Sequence, residues 1–119
     1  MPENSHDPQL LKGILSVLLL HLLAEEESYG YDVVRRLHEM GLTDVLDGTV
    51  YPALARLERG GRITARLVAS TSGPARKYYR PTPAGYAALS EGIASWEGLV
   101  AIVSRRLLQP VNPPSTKGN

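Results

Sequence analysis

Two groups of basic side chains set the chemistry open to this sequence. Arg56 and Arg59 stand one helical turn apart, and Arg76, Lys77 and Arg80 follow further along. A guanidinium donates two parallel hydrogen bonds, which suits the major-groove edge of guanine or a phosphate. Thr49 and Tyr51, just before Arg56, carry hydroxyls that can reach phosphate oxygens. Residues 48–80 hold seven basic and one acidic side chain, whereas residues 1–47 hold three basic and nine acidic, and the whole chain is only +1. A concentrated positive segment is the electrostatic footprint of a phosphate partner, or equally a solvated arginine-rich face.

Other chemistries lack their residues. There is no cysteine, which removes disulfides, thiolate metal sites and cysteine nucleophiles. His6, His21 and His38 fall on an N-terminal arm and two different predicted helices, with no i, i+4 pair of histidines, so no metal site is expected. No nucleophile elbow, phosphate-binding glycine loop or paired carboxylates in an apolar setting are visible, and Glu25-Glu26-Glu27 reads as a solvated turn. Neither an enzyme nor a cofactor is expected. The most apolar stretch, Gly13 to Ala24, is broken by Ser16 and His21 and falls short of the roughly 20 residues that cross a bilayer. Glu3 and Asp7 leave no positive start, and the acidic run stands where a signal cleavage site would lie. A cytoplasmic protein is expected.

The elements that must position these side chains follow from periodicity. A chain of 119 residues is one domain. Residues 1–8 form a flexible arm. Residues 9–24 are apolar on nearly every side, a helix that must be covered all round, in part by a second subunit. Ser28 is placed as the N-cap of a second helix through Met40, with Val33, Leu37 and Met40 as its buried stripe and Gly41 as its stop. A third helix runs from 47–49 to Gly60-Gly61, with Pro52 tolerated in its first turn. Val50, Ala53, Leu54 and Leu57 share its inner face. Thr49, Pro52, Ala55, Arg56 and Arg59 point outward, with Tyr51 on the flank.

The period then changes to two. Ile63, Ala65, Leu67 and Ala69 form the inner side of a strand, Thr71 to Pro74 a turn, and Ala75 to Arg80 the return. Thr82 caps a last helix reaching Leu108. Along it Leu89, Ile93, Trp96, Val100, Val103 and Leu107 are spaced alternately four and three apart, the seam of a helix that pairs with another helix. The expected fold is mainly α with a small β-hairpin, a winged helix-turn-helix over 9–82. A dimerisation helix spans 83–108, and 109–119 are a disordered tail.

An outward arginine helix is by itself an ordinary surface helix. A basic hairpin directly after it is more specific, and two long motifs go further. Gly48-Thr49-Val50-Tyr51-Pro52-Ala53-Leu54-Ala55-Arg56-Leu57-Glu58 with Gly61 resembles the recognition-helix signature of PadR-like transcriptional regulators. Arg76-Lys77-Tyr78-Tyr79-Arg80 with Thr82 and Gly85 resembles their wing, and Tyr29-Gly30-Tyr31 the opening of their second helix. The likeness spans roughly residues 10–107. It implies a dimeric winged-helix regulator, most often a bacterial repressor, acting on a pseudo-palindromic site in double-stranded DNA. Carried over by position, Thr49, Tyr51, Arg56, Arg76 and Lys77 are expected to contact DNA, with Tyr29, Pro52 and Arg59 beside them. The wing tip departs from the pattern, with Ser72-Gly73-Pro74-Ala75 where a more basic turn is frequent.

In some short members a tryptophan in the last helix helps to form a flat apolar pocket across the dimer axis for planar compounds. The resemblance thus implies a ligand site in which Leu11, Leu15 and Leu18 meet Ile93, Trp96 and Val100, releasing a homodimeric repressor from DNA. Two alternatives stand beside it. One is a DNA-binding regulator with no small-molecule effector, in which Trp96 simply closes the dimer. The other is a non-DNA ligand-binding or protein-interaction dimer.

Overall fold

The computed structural model describes residues 7–114. The expected arm therefore lies outside the described residues over 1–6, and the expected tail over 115–119. Five helices and three strands follow in order: α1 (Pro8–Lys12), α2 (Leu15–Glu25), β1 (Ser28–Tyr29), α3 (Gly30–Glu39), α4 (Asp47–Arg59), β2 (Ile63–Ser70), β3 (Gly73–Pro81) and α5 (Pro83–Leu107). The strands form one antiparallel sheet in the order β1-β3-β2. The core lies where α2, α3 and α4 meet the sheet and the start of α5, around Leu19, Leu20, Leu23, Val33, Leu37, Val50, Leu54 and Ile63.

The first expected helix is two. Asp7 caps α1, its carboxylate accepting from the Gln9 amide at 2.8 Å, and Gly13 ends it. Glycine is a poor helix former because its backbone has more freedom to lose. The chain covers α2 more fully than its all-round apolarity suggests, since Leu15, Leu19, Leu20, Leu22 and Leu23 are all buried within the single chain.

Ser28 is not a helix cap. It lies in β1, paired with Tyr79, while Tyr29 pairs with Tyr78. Its buried hydroxyl donates to the Glu26 carbonyl and accepts from Arg36. The position before α3 belongs to Tyr29, which makes no side-chain cap. Met40 is 52% exposed and Val34 takes its place in the core, because α3 already ends at Glu39 and Gly41 turns away at φ +114°. His38 Nε2 lies 2.5 Å from the Val45 carbonyl and ties α3 to the segment leading into α4.

Pro52 is also displaced from the expectation. With α4 starting at Asp47, Pro52 is past the first turn and withholds a hydrogen bond from the Gly48 carbonyl. Both residues are exposed, so water can take that carbonyl.

The alternation of β2 holds at Ile63 and Ala65 and fails at Leu67, which is 71% exposed. The hairpin has by then run past the core, both faces are wet, and the register shifts between Val68 and Ser70. Thr82 caps α5 as expected, accepting from the Gly85 amide at 3.0 Å and donating to the Gly61 carbonyl at 2.6 Å. Leu89 is not part of an open seam. It is buried in this chain's own core, and beyond Trp96, the last α5 residue beside α2 in the groove, the helix extends along a molecule 72 Å long.

Candidate nucleic-acid interface

Helix α4 sorts its side chains as its period demands. Val50, Ala53, Leu54 and Leu57 are buried, while Thr49, Tyr51, Pro52, Arg56 and Arg59 are exposed. Ala55 lies between the exposed side chains and keeps that face low, which lets a helix approach a groove closely. Arg56 and Arg59 form no ion pair among the described residues.

Tyr51 lies against the start of α3. A Cβ on Gly30 would stand 2.1 Å from its ring, so the glycine makes room for the ring. Burial, with Asp47, Tyr29 and Tyr79 nearby, pushes the Tyr51 hydroxyl above its ordinary pKa. It therefore stays a protonated donor.

The wing's cations are held in different ways. The Arg76 guanidinium lies 4.7 Å over the ring of Tyr29, which packs against Tyr78 and Tyr31 at 5.3 and 6.2 Å. Tyr29 is thus a half-buried platform beneath Arg76. Lys77 donates to Glu58 of α4 at 3.0 Å and lies 5.4 Å from the Tyr79 ring. The Glu58 carboxylate holds the Lys77 ammonium above its usual pKa. Lys77 therefore bridges wing and helix within the chain, and would have to leave Glu58 to meet any other anion.

Sequence reasoning missed a second clamp. Arg66 of β2 donates to both carboxylate oxygens of Glu27, at 2.7 and 2.9 Å, and this holds Glu27 below its usual pKa. Glu25 pairs with Arg36 at 3.2 Å and with His21 at 3.7 Å. Two of the three carboxylates in the acidic run expected as a solvated turn are thus engaged in pairs. No local signal marks the Glu27 clamp, because its partner lies 39 residues away.

Of the residues expected at a ligand site, Leu11, Leu18, Ile93 and Trp96 come together. They line an open groove of about 600 Å³ with Val17 and Met40 among their neighbours. Leu15 is turned into the core instead, and Val100 lies beyond the groove. Trp96 is 49% exposed, and Ile93, Val103 and Leu107 are also uncovered, with Val100 half-buried. Leu99 and Ile102, outside the heptad seam, are exposed too. Among the described residues no helix is long and apolar enough to cross a membrane.

Comparison with known proteins agrees with this geometry. The model of the transcriptional regulator PadR-like family matches residues 19–91, more than half of the chain. A transcriptional regulator of Mycobacterium tuberculosis is 41% identical over 83 residues, covering 68% of this chain and 74% of the relative. The crystal structure of a PadR-like transcriptional regulator from Bacillus cereus is similar at TM-score 0.73 and 40% identity, over 87% of this chain and 99% of that one. A PadR family regulator from Eggerthella lenta gives TM-score 0.78 at 34% identity, over 86% and 88%. These relatives are transcriptional regulators and not enzymes. The exposed basic helix and its wing are set on the family's winged-helix frame, and the chain belongs to the PadR-like family of transcriptional regulators.

Proposed function

We propose that this regulator is a homodimeric repressor that inserts α4 into the major groove and lays the β2–β3 wing along the backbone of a pseudo-palindromic operator. The observation that carries the reading is the set of exposed arginines on α4 and β3. Arg56, Arg59 and Arg76 have no carboxylate partner among the described residues, while neighbouring Lys77 and Arg66 do. Thr49 and Tyr51 add neutral donors for phosphate beside them. The two α4 helices of a dimer would sit about 34 Å apart to reach successive major grooves.

The groove beside Trp96 supports an effector step. A planar compound between Leu11, Leu18, Ile93 and Trp96 would favour one arrangement of the paired helices over another. It would release DNA only to the extent that it binds the two arrangements unequally.

Selection from random duplex DNA at physiological salt tests the first part. Recovery of a pseudo-palindrome with half-sites about 10 base pairs apart is expected. Weak, salt-sensitive binding with no preferred sequence would overturn it. Titration of planar aromatic compounds tests the second, with saturable quenching of Trp96 expected and flat titrations across a varied set counting against it.

A further inference from the structure

A second cleft lies between α1 and the outer face of α4, bordered like the first by Leu11 but lined by different chemistry. Its volume is about 360 Å³, within the range of small-molecule sites. Leu11, Leu15, Val45 and Ala53, with Pro8 and Pro52, give it aliphatic walls. No aromatic side chain lines it, in contrast to the Trp96 groove. Lys12 and Arg56 both stand in its lining, and neither forms an ion pair among the described residues. Ser16 and Thr49 add hydroxyls.

Two unpaired cations beside aliphatic walls are complementary to an anion with an aliphatic body. Without an aromatic wall there is no surface for a planar ring to stack on. Asp44 also lines the cleft, and it has a partner of its own.

We propose that this cleft binds a small aliphatic carboxylate, whose charged group pairs with Lys12 and Arg56 and whose chain lies on Leu11, Leu15, Val45 and Ala53. Because Thr49 and Arg56 are shared with the α4 face, the occupied cleft competes directly with DNA. The competition rests on the DNA-binding reading above, whereas the binding does not.

The test begins without DNA. Octanoate is titrated into the isotopically labelled protein and followed by amide chemical shifts. Saturable shifts are expected at Lys12, Ser16, Thr49, Ala53 and Arg56. Octanamide, of equal length and no charge, should bind about ten-fold more weakly, as should octanoate to Lys12→Gln, since a charge-assisted pair is lost in each case. Gly48 lines the cleft, and a Cβ there meets nothing within 4 Å. Gly48→Leu should therefore fold, fill the space and abolish the shifts.

Shifts confined to Met40, Ile93 and Trp96 would move octanoate to the other groove and overturn the proposal. So would octanamide binding as tightly as octanoate. An absence of saturable shifts, as when a segment of this chain occupies the cleft, would overturn it as well. With the selected operator added, octanoate should weaken DNA binding by the wild type and much less by Lys12→Gln. Saturable shifts with undiminished DNA affinity would overturn the competition alone. A protein that binds no duplex still answers the first titration, so the two readings fail separately.

Discussion

Adjacent cations on β3 are not equivalent. Arg76 is pre-positioned by the Tyr29 ring and has no carboxylate to leave, whereas Lys77 must exchange Glu58 for a phosphate. Glu58→Gln is therefore expected to tighten DNA binding by about two- to five-fold, the worth of one exposed ion pair. The dependence of log affinity on log salt should stay the same, because Lys77 reaches a phosphate in both proteins. Unchanged affinity would show that Lys77 stays away from DNA. Arg56→Ala should cost about 1–3 kcal/mol and relax the base preference at one position of each half-site. A uniform loss across all sequences would make Arg56 a phosphate contact instead. The outward direction of Arg56 and Arg59 was legible because a helical period fixes which side chains share a face. The pairing of Lys77 with Glu58 was not, because it depends on how the hairpin lies against α4.

Besides Gly30, two glycines let elements approach closely, and they differ in what opposes them. At Gly85 a Cβ would meet the Arg62 carbonyl oxygen at 2.0 Å, and a backbone atom cannot step aside. Gly85→Ala should lower stability by about 1–3 kcal/mol in urea denaturation with an unchanged m-value. At Gly92 the neighbour is the Val17 side chain at 2.6 Å, which can be trimmed. Gly92→Ala should destabilise the wild type, yet be neutral or stabilising in a Val17→Ala background, where its better helix propensity is felt. Equal effects in both backgrounds would mean that α2 and α5 do not meet there. The Glu27–Arg66 clamp between β2 and the residues before β1 has its own pH signature. Glu27 is depressed below its ordinary 4.5, so its contribution is present above that value and fades as pH falls through the lowered one. The Tm difference between wild type and Glu27→Gln should accordingly shrink on acidification and be lost in strong acid. Helix existence and the Thr82 cap were readable from local pattern. The strand at Ser28 was not, since two residues form a strand only because β3 offers them an edge, and Leu67 broke the alternation because the wing outruns the core.

At the scale of the molecule, α5 is a long arm whose inner end is consumed by the protomer and whose outer end is bare. The heptad spacing was legible along its whole length. Sequence spacing does not tell which helix fills a seam, which is why Leu89 turned out to belong to the protomer's own core. Leu99 and Ile102 widen the exposed apolar arc beyond the narrow stripe that two paired helices would cover. The proposed dimer would therefore press α5 against more than one helix of its partner. Val103 is exposed within the seam and far from α4 and the wing. A charge there would be stranded on dimerisation, while the isolated protomer would bear it in water. Val103→Asp is thus expected to sediment as a monomer with its helical content retained. Its Tm should lose the dependence on protein concentration that a dimer shows. It should bind a single half-site about as well as the wild type does. It should lose roughly 10²–10⁴ in affinity for the full palindrome, because the second α4 is no longer held at high local concentration. A Val103→Asp protein that remains dimeric would place the interface elsewhere. A monomer that binds the full palindrome as tightly as the wild type would remove pairing from DNA recognition altogether.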